Sequence, residues 1–170
     1  MNNMDSIVIE PETYFLKPNK HAPNNDLPIL IYRDVLPLPL SEERTKGFLE
    51  SHAWIRGGTW GHINIRHFHP NTHECYGKSA IRQFSELMGL DNHTDHNSAS
   101  QGIFQGESTL LLGCGTNDND GGQELEVRAG DVIVLPAGTA HCSVQSSKDY
   151  EYIGVYPAVT PILLACLSHH

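Results

Sequence analysis

The chain is poor in positive charge, cysteine pairs and long apolar runs, and each shortage excludes a class of protein. Eleven lysine and arginine residues stand against twenty acidic ones, for a formal net charge of −9. Nucleic acid and anionic membrane surfaces are therefore not expected partners, because both repel an acidic protein. The four cysteines form no C-x2-C pair, which argues against a disulfide framework or a zinc knuckle. The longest apolar run, residues 161–167, is too short to span a membrane.

The beginning and the length of the chain predict a single cytoplasmic domain. Residues 1–6 are polar and acidic and lack the features of a signal peptide. Without a disulfide pattern, reduced thiols in the cytoplasm are expected. A chain of 170 residues is long enough to bury a substantial core, so residues 1–170 are predicted to form one domain.

Short strand-like segments separated by Gly and Pro turns dominate the sequence. One helix is predicted to begin after Ser41, an N-cap residue followed by two glutamates, and to run to about His52. The acidic residues of a Gly-rich loop over 113–122 lack the spacing of an EF-hand, which argues against calcium. The pattern predicts an all-β jelly-roll β-barrel with one or two peripheral helices. The predicted strands are 28–32, 61–69, 103–112, 124–127, 132–135 and 150–156.

Two histidine-containing motifs carry the chemistry of the chain. The first brings together His67, His69 and Glu74, and the second delivers His141 just after a Pro/Gly turn. Three imidazole nitrogens and one carboxylate oxygen, with positions left for water or substrate, suit one divalent metal ion such as Fe, Mn, Ni or Zn. The motifs are Gly61-x5-His67-x-His69-x4-Glu74 and Gly130-x5-Pro136-x-Gly138-x2-His141.

Side-chain alternation predicts how these residues are oriented. On a strand, His67 and His69 point to the same face, which is what capture of one metal by two histidines requires. Glu74 follows a turn and can reach back to supply an oxygen ligand. His73 is expected on the opposite face, at the rim of the site, with replacement of a ligand as the alternative. Cys142 follows a ligand and is predicted to be a small buried side chain that points away from the metal.

These motifs resemble the two signature motifs of the cupin superfamily, G-x5-H-x-H-x(3,4)-E-x6-G and G-x5-P-x-G-x2-H-x3-N. Two positions depart from the pattern, and neither removes a metal ligand. Ile81 stands where the first motif ends in glycine, and a glycine appears instead at Gly106. Gln145 replaces the final asparagine of the second motif.

Longer segments are similar to the small single-domain cupins of the YjlB-like group, over most of residues 13–157. The resemblance implies a jelly-roll barrel with a metal at the wider end of its cavity, and it implies no defined reaction. Dimerisation through strand edges is a further expectation that comes from the resemblance alone. The similar segments are residues 24–32, the predicted helix with Trp54, 67–74, 126–141 and 154–157.

Residues 78–101 interrupt this resemblance and leave two interpretations open. One is a lid over the barrel mouth, with an amphipathic helix up to Gly89 followed by a mobile loop over 91–100. The other is a translated intron, because Gly77-Lys-Ser79 can be encoded by GGTAAGT and Ser100-Gln101 can end in CAG. The tail, residues 158–170, also departs from the resembling proteins.

The predicted function is that of a metal-binding cupin acting on a small organic molecule. Fe(II) would suit oxygenation, whereas Mn, Ni or Zn would suit isomerisation, decarboxylation or hydrolysis. The alternative is a non-catalytic cupin that binds a metabolite or a metal, since the fold serves both uses. Aromatic residues are candidates for the pocket lining or the plain core, namely Trp60, Phe68, Tyr76, Phe104 and Tyr156.

Overall fold

A computed structural model of the chain describes residues 9–24, 26–69, 98–118 and 121–157. These residues form nine strands and one helix. In chain order the elements are β1 (Glu12–Tyr14), β2 (Ile29–Tyr32), α1 (Glu42–Ser51), β3 (Trp54–Trp60), β4 (Ser98–Gln105), β5 (Glu107–Leu112), β6 (Gln123–Arg128), β7 (Val132–Pro136), β8 (His141–Ser146) and β9 (Glu151–Pro157).

The strands of the described residues lie in two antiparallel sheets. The larger sheet has the order β1-β2-β7-β4-β9-β3, and the smaller one has the order β6-β5-β8. Side chains from both sheets fill the space between them, among them Ile31, Ile103 and Leu112. Two antiparallel sheets that share one apolar interior are the layers of a jelly roll, so the predicted all-β fold is confirmed.

Helix α1 packs against β3, β4 and β9 on the outer face of the larger sheet. Its Leu49 is fully buried and belongs to a second apolar cluster with Phe104 and Val155. The side chains of β2 and β7 alternate between this cluster and the core between the two sheets, so both strands are buried at every position. That is why these strands appear in the sequence as continuous apolar runs rather than as alternating ones.

The predicted helix is confirmed at both ends. Ser41 has an extended backbone, and its hydroxyl oxygen accepts a hydrogen bond from the backbone N–H of Arg44 at 3.3 Å. Two glutamates in the first turn complement the positive end of the helix dipole. The helix ends at Ser51, with His52 as the C-cap. Within the described ranges, no helix has the length and apolar character needed to cross a membrane.

The strand predicted over 103–112 is in fact two strands. The chain turns at Gly106, whose φ of +68° is in the left-handed region that a residue with a side chain rarely adopts. As a result β4 lies in the larger sheet and β5 in the smaller one. The loop predicted over 91–100 is wrong for residues 98–100, because β4 pairs there with β7 and β9. The helix predicted before Gly89 lies outside the described residues.

The prediction of a regular strand over 61–69 is also wrong. The regular strand of this region is β3, and residues 61–69 follow it as an irregular segment beside β8. The backbone N–H of Ser143 donates to the Ile63 carbonyl at 2.6 Å. The return bond, from the N–H of Ile63, goes to the Ser143 hydroxyl at 3.3 Å rather than to a carbonyl. Because a side chain replaces a backbone acceptor, the regular ladder is interrupted.

Candidate metal centre and adjoining cavity

The structure brings together three of the four predicted ligands. Candidate ligand atoms of His67, His69 and His141 all lie within 4.8 Å of one another. Two backbone hydrogen bonds join the motifs: His67 N–H donates to the His141 carbonyl at 3.2 Å, and His141 N–H donates to the His67 carbonyl at 2.9 Å. The fourth predicted ligand, Glu74, lies outside the described residues, as does His73.

Backbone carbonyls orient two of the three imidazole rings. Nδ1 of His141 lies 3.0 Å from the carbonyl oxygen of Thr139, and Nδ1 of His67 lies 3.0 Å from that of Ile65. A carbonyl oxygen can only accept, so each Nδ1 carries the proton and each Nε2 keeps a free lone pair. A backbone carbonyl that holds the non-ligating nitrogen is the usual support of a metal-binding histidine.

His141 is the buried member of the cluster, with an exposed fraction of 3%. Its Nε2 is buried and has no hydrogen-bond partner among the described residues. Such an unpaired buried nitrogen is costly unless a ligand or an ion satisfies it. This orphaned atom is the feature of the centre that a metal ion would account for.

Burial favours the neutral form of His141 and His69. Burial lowers the pKa of His141 to about 3, with a smaller contribution from His67. Burial also lowers the pKa of His69, again with a smaller contribution from His67. Neutral imidazole is the form that binds a metal, so neither ring has to lose a proton first.

The ring geometry fits a single ion after a small inward movement. The ring centroids of His67 and His141 are 4.2 Å apart. The ring centroid of His69 lies 5.5 Å from that of His67 and 5.6 Å from that of His141. Nitrogen ligands at about 2.1 Å from one ion stand roughly 3 Å apart. The ligand atoms already lie within 4.8 Å of one another, so one ion would require only a small further approach of the rings.

Asn24 holds the backbone that precedes His141. Its side chain is almost fully buried, with 1% exposed. Its Oδ1 accepts from the N–H of Ala140 at 3.1 Å, and its Nδ2 donates to the Gly113 carbonyl at 2.8 Å. The N–H of Gly113 in turn donates to the Ala140 carbonyl at 2.7 Å. Sequence reasoning missed this role, because an asparagine in a polar stretch gives no local sign of a partner 116 residues away.

A cavity of about 350 Å³ adjoins the three histidines. Tyr156 lies next to the centre, with its ring centroid 5.5 Å from that of His69. The lining is mainly apolar and aromatic, as is usual for small-molecule sites. The lining residues are Trp60, Ile63, Ile65, His67, His69, Ala99, Ser100, Gln101, Tyr152, Gly154, Val155 and Tyr156.

Of the aromatic candidates from the sequence, Trp60 and Tyr156 line this cavity. Phe104 instead packs in the cluster under helix α1. Phe68 is half-buried but does not contribute to the lining that the described residues form. Tyr76 lies outside the described residues. Tyr152, which sequence reasoning missed, lines the cavity with its ring centroid 6.1 Å from that of Trp60.

Glycines make room for the two predicted aromatic side chains. A Cβ atom on Gly154 would lie 2.5 Å from Cζ3 of Trp60. A Cβ atom on Gly57 would lie 2.5 Å from Cε2 of Tyr156. Both distances are far below a van der Waals contact. The rings therefore lie against bare backbone, and any larger residue at these glycines would displace a wall of the cavity.

Cys142, next to the buried histidine, is a structural residue. Its side chain is buried and free, as predicted. Burial is the main cause that raises the pKa of its thiol. A thiol that stays protonated is a weak nucleophile, so the environment of Cys142 favours packing over reactivity.

Comparison with known proteins finds a similar sequence and a distant structural neighbour. No family model matches the chain. The chain is 26% identical over 149 residues to the uncharacterized protein YjlB of Bacillus subtilis (strain 168), which covers 87% of this chain and 70% of that protein. Vicilin from Corylus avellana (hazelnut) shares 10% sequence identity, with a TM-score of 0.34 over 86% of this chain. The chain spans about a third of that vicilin chain, 32% of its length.

Proposed function

We propose that this chain is a metal-binding cupin whose His67, His69 and His141 hold one divalent ion, with Glu74 as the fourth ligand. The ion would be Fe, Mn, Ni or Zn. The orphaned, buried Nε2 of His141 is the observation that carries the proposal. The similarity to YjlB over 87% of the chain agrees with the family resemblance that the two motifs carry.

The adjoining cavity supports an action on a small organic molecule. A bound ion would supply Lewis-acid polarisation of a substrate oxygen or, as iron, oxygenase-type chemistry. The chain's own residues bind and orient the substrate. Trp60 and Tyr156 contact its apolar part and exclude water, and the backbone carbonyls of Thr139 and Ile65 keep His141 and His67 in the ligating tautomer.

The test of metal binding is the metal content of the purified, untagged protein by mass spectrometry. We expect about one ion per chain in the wild type and almost none in the His67→Ala/His141→Ala variant, because the variant keeps only one of three imidazoles. His62→Ala is the matched control. His62 lies on the same segment, is exposed, and bonds through Nδ1 to the Ser146 hydroxyl at 2.9 Å.

Two results would contradict metal binding. One is a wild-type protein that is empty and takes up none of the four metals on reconstitution. The other is a folded double variant that retains its ion as well as the control does. Circular dichroism of all three proteins establishes that loss of metal is not loss of fold.

A non-catalytic binding function is the second candidate, and the apolar cavity favours it, because such a lining can hold a metabolite without help from an ion. Ligand screening by thermal shift, with and without a chelator, separates the two functions. Stabilisation that disappears with the chelator supports metal-dependent action on the ligand. Stabilisation that persists without metal, with no turnover of the ligand when metal is restored, supports the binding function.

A further inference from the structure

Gln101 lines the cavity and carries a buried, unpaired acceptor atom. Its side chain has an exposed fraction of 5%, and it belongs to the lining residues. Its Oε1 is buried and has no hydrogen-bond partner in the part of the chain that the structure describes. A buried amide oxygen without a partner is destabilising, so its presence requires an explanation.

The neighbours of Gln101 in the sheet do not offer that partner. In strand β4 it lies opposite Ile133 of β7 and Gly154 of β9. An isoleucine has no polar side-chain atom and a glycine has no side chain at all. Two residues further on, Ile103 belongs to the core between the two sheets, so Gln101 lies on the interior face of β4.

The other polar residue that β4 adds to the lining is already satisfied. The Ser100 hydroxyl donates to the Ile133 carbonyl at 3.0 Å. The indole N–H of Trp60 and the two tyrosine hydroxyls of the lining can donate, but among the described residues Gln101 Oε1 accepts a hydrogen bond from none of them. Gln101 therefore contributes an amide acceptor to a cavity whose walls are otherwise mainly apolar and aromatic.

We propose that Gln101 is a specificity-determining residue, whose Oε1 accepts a hydrogen bond from a hydroxyl or N–H group of the ligand. The ligand class is a small, flat, mainly apolar molecule with one such donor. A volume of about 350 Å³ is near the lower end for ligand pockets and suits a single ring. The inference deepens the proposed function and rests on it in one respect, that this cavity is the substrate site.

Matched aromatic probes test the inference on the full chain. Phenol and anisole share a ring, but only phenol can donate; aniline and N,N-dimethylaniline form a second such pair. We would measure the four dissociation constants by ligand-observed NMR, in the presence of EDTA, for the wild type and for Gln101→Leu. The ratio of constants within a pair cancels most of the difference in general hydrophobicity between variants.

The preference for the donor member of each pair should fall about two- to tenfold in Gln101→Leu, the loss expected for one hydrogen bond. Gln101→Glu keeps an acceptor of the same shape and should keep the preference. Gln105→Leu is the control, because Gln105 ends the same strand but is exposed and outside the lining. It should leave the ratios unchanged.

Three results would overturn the inference: equal ratios in the wild type and Gln101→Leu, equal changes in Gln101→Leu and Gln105→Leu, or no binding of any probe at millimolar concentration. If Gln101→Leu does not fold, Gln101→Met of similar length takes its place under the same criteria. Because metal is excluded from the titrations, these results bear on Gln101 alone. An empty metal centre, by contrast, would contradict the proposed function and leave the probe ratios unaffected.

Discussion

Replacing Asn24 with alanine should lower the free energy of unfolding by about 3 to 5 kcal/mol, because each buried polar group left without its partner costs about 1 to 3 kcal/mol. The substitution removes two buried hydrogen bonds, from the Ala140 N–H at 3.1 Å and to the Gly113 carbonyl at 2.8 Å, and a part-buried one to the Lys17 carbonyl at 3.0 Å. It also forces alanine into the left-handed backbone of this position, where φ is +38°.

The same change should weaken metal binding about 10- to 100-fold, the usual effect of losing a residue that supports a ligand. Asn24 does not touch the metal centre; it holds the backbone of Ala140, which precedes His141. Urea denaturation measures the loss of stability, and titration with Co(II) or Zn(II) measures the affinity. Asn24→Asp keeps the Oδ1 acceptor but not the donor, and should lie between alanine and the wild type in both.

Asn64→Ala is the control for this prediction, because Asn64 is an exposed asparagine on the segment that carries His67 and His69. It should change stability by less than about 0.5 kcal/mol. A loss below about 1 kcal/mol in Asn24→Ala would show that the hydrogen bonds of Asn24 are replaced by others. A folded variant that binds metal as tightly as the wild type would show that Asn24 does not position His141.

Replacing Asp131 with alanine should destabilise the protein by about 3 to 5 kcal/mol, because two backbone N–H groups and one guanidinium N–H lose their acceptor and each buried group left unpaired costs about 1 to 3 kcal/mol. Asp131 is fully buried. Its carboxylate accepts from Arg33 Nη1 at 2.7 Å, from the Arg128 N–H at 3.1 Å and from the Asp34 N–H at 3.2 Å. The hydrogen bonds that Arg33 donates, first to Glu12 and then to Asp131, raise its pKa. The bonds to Glu12 remain after the substitution, so the guanidinium stays charged.

Urea denaturation of Asp131→Ala beside Asp149→Ala measures this effect. Asp149 is exposed, so its replacement should stay within about 0.5 kcal/mol of the wild type. Metal content separates Asp131 from Asn24: folded Asp131→Ala should keep its ion, since its carboxylate supports Arg33 and two backbone N–H groups rather than His141. A destabilisation below about 1 kcal/mol would mean that Arg33 is satisfied by Glu12 alone.

Local patterns in the sequence were enough to predict strands β2 and β7 and helix α1, because apolar runs and an N-cap residue mark them. The apolar runs of β2 and β7 are buried because their side chains alternate between the two apolar clusters. The helix begins where Ser41 can cap it. The motif spacing also predicted that His67, His69 and His141 would converge, because a turn and a strand start fix the position of each ring within a few residues.

The tertiary structure alone decided what surrounds those rings. Residues 98–101 are each small or polar, and by composition they resemble a loop. They become part of β4 because β7 and β9 supply hydrogen bonds on both sides, and pairing of that kind overrides local preference. That pairing is what places Gln101 inside the cavity. Likewise Asn24 reaches Ala140 only because the fold brings these distant parts of the chain together. The sequence by itself thus determined which residues form the candidate ligands, since their chemistry is local, and the packing of the two sheets determined their orientation, burial and the shape of the cavity beside them.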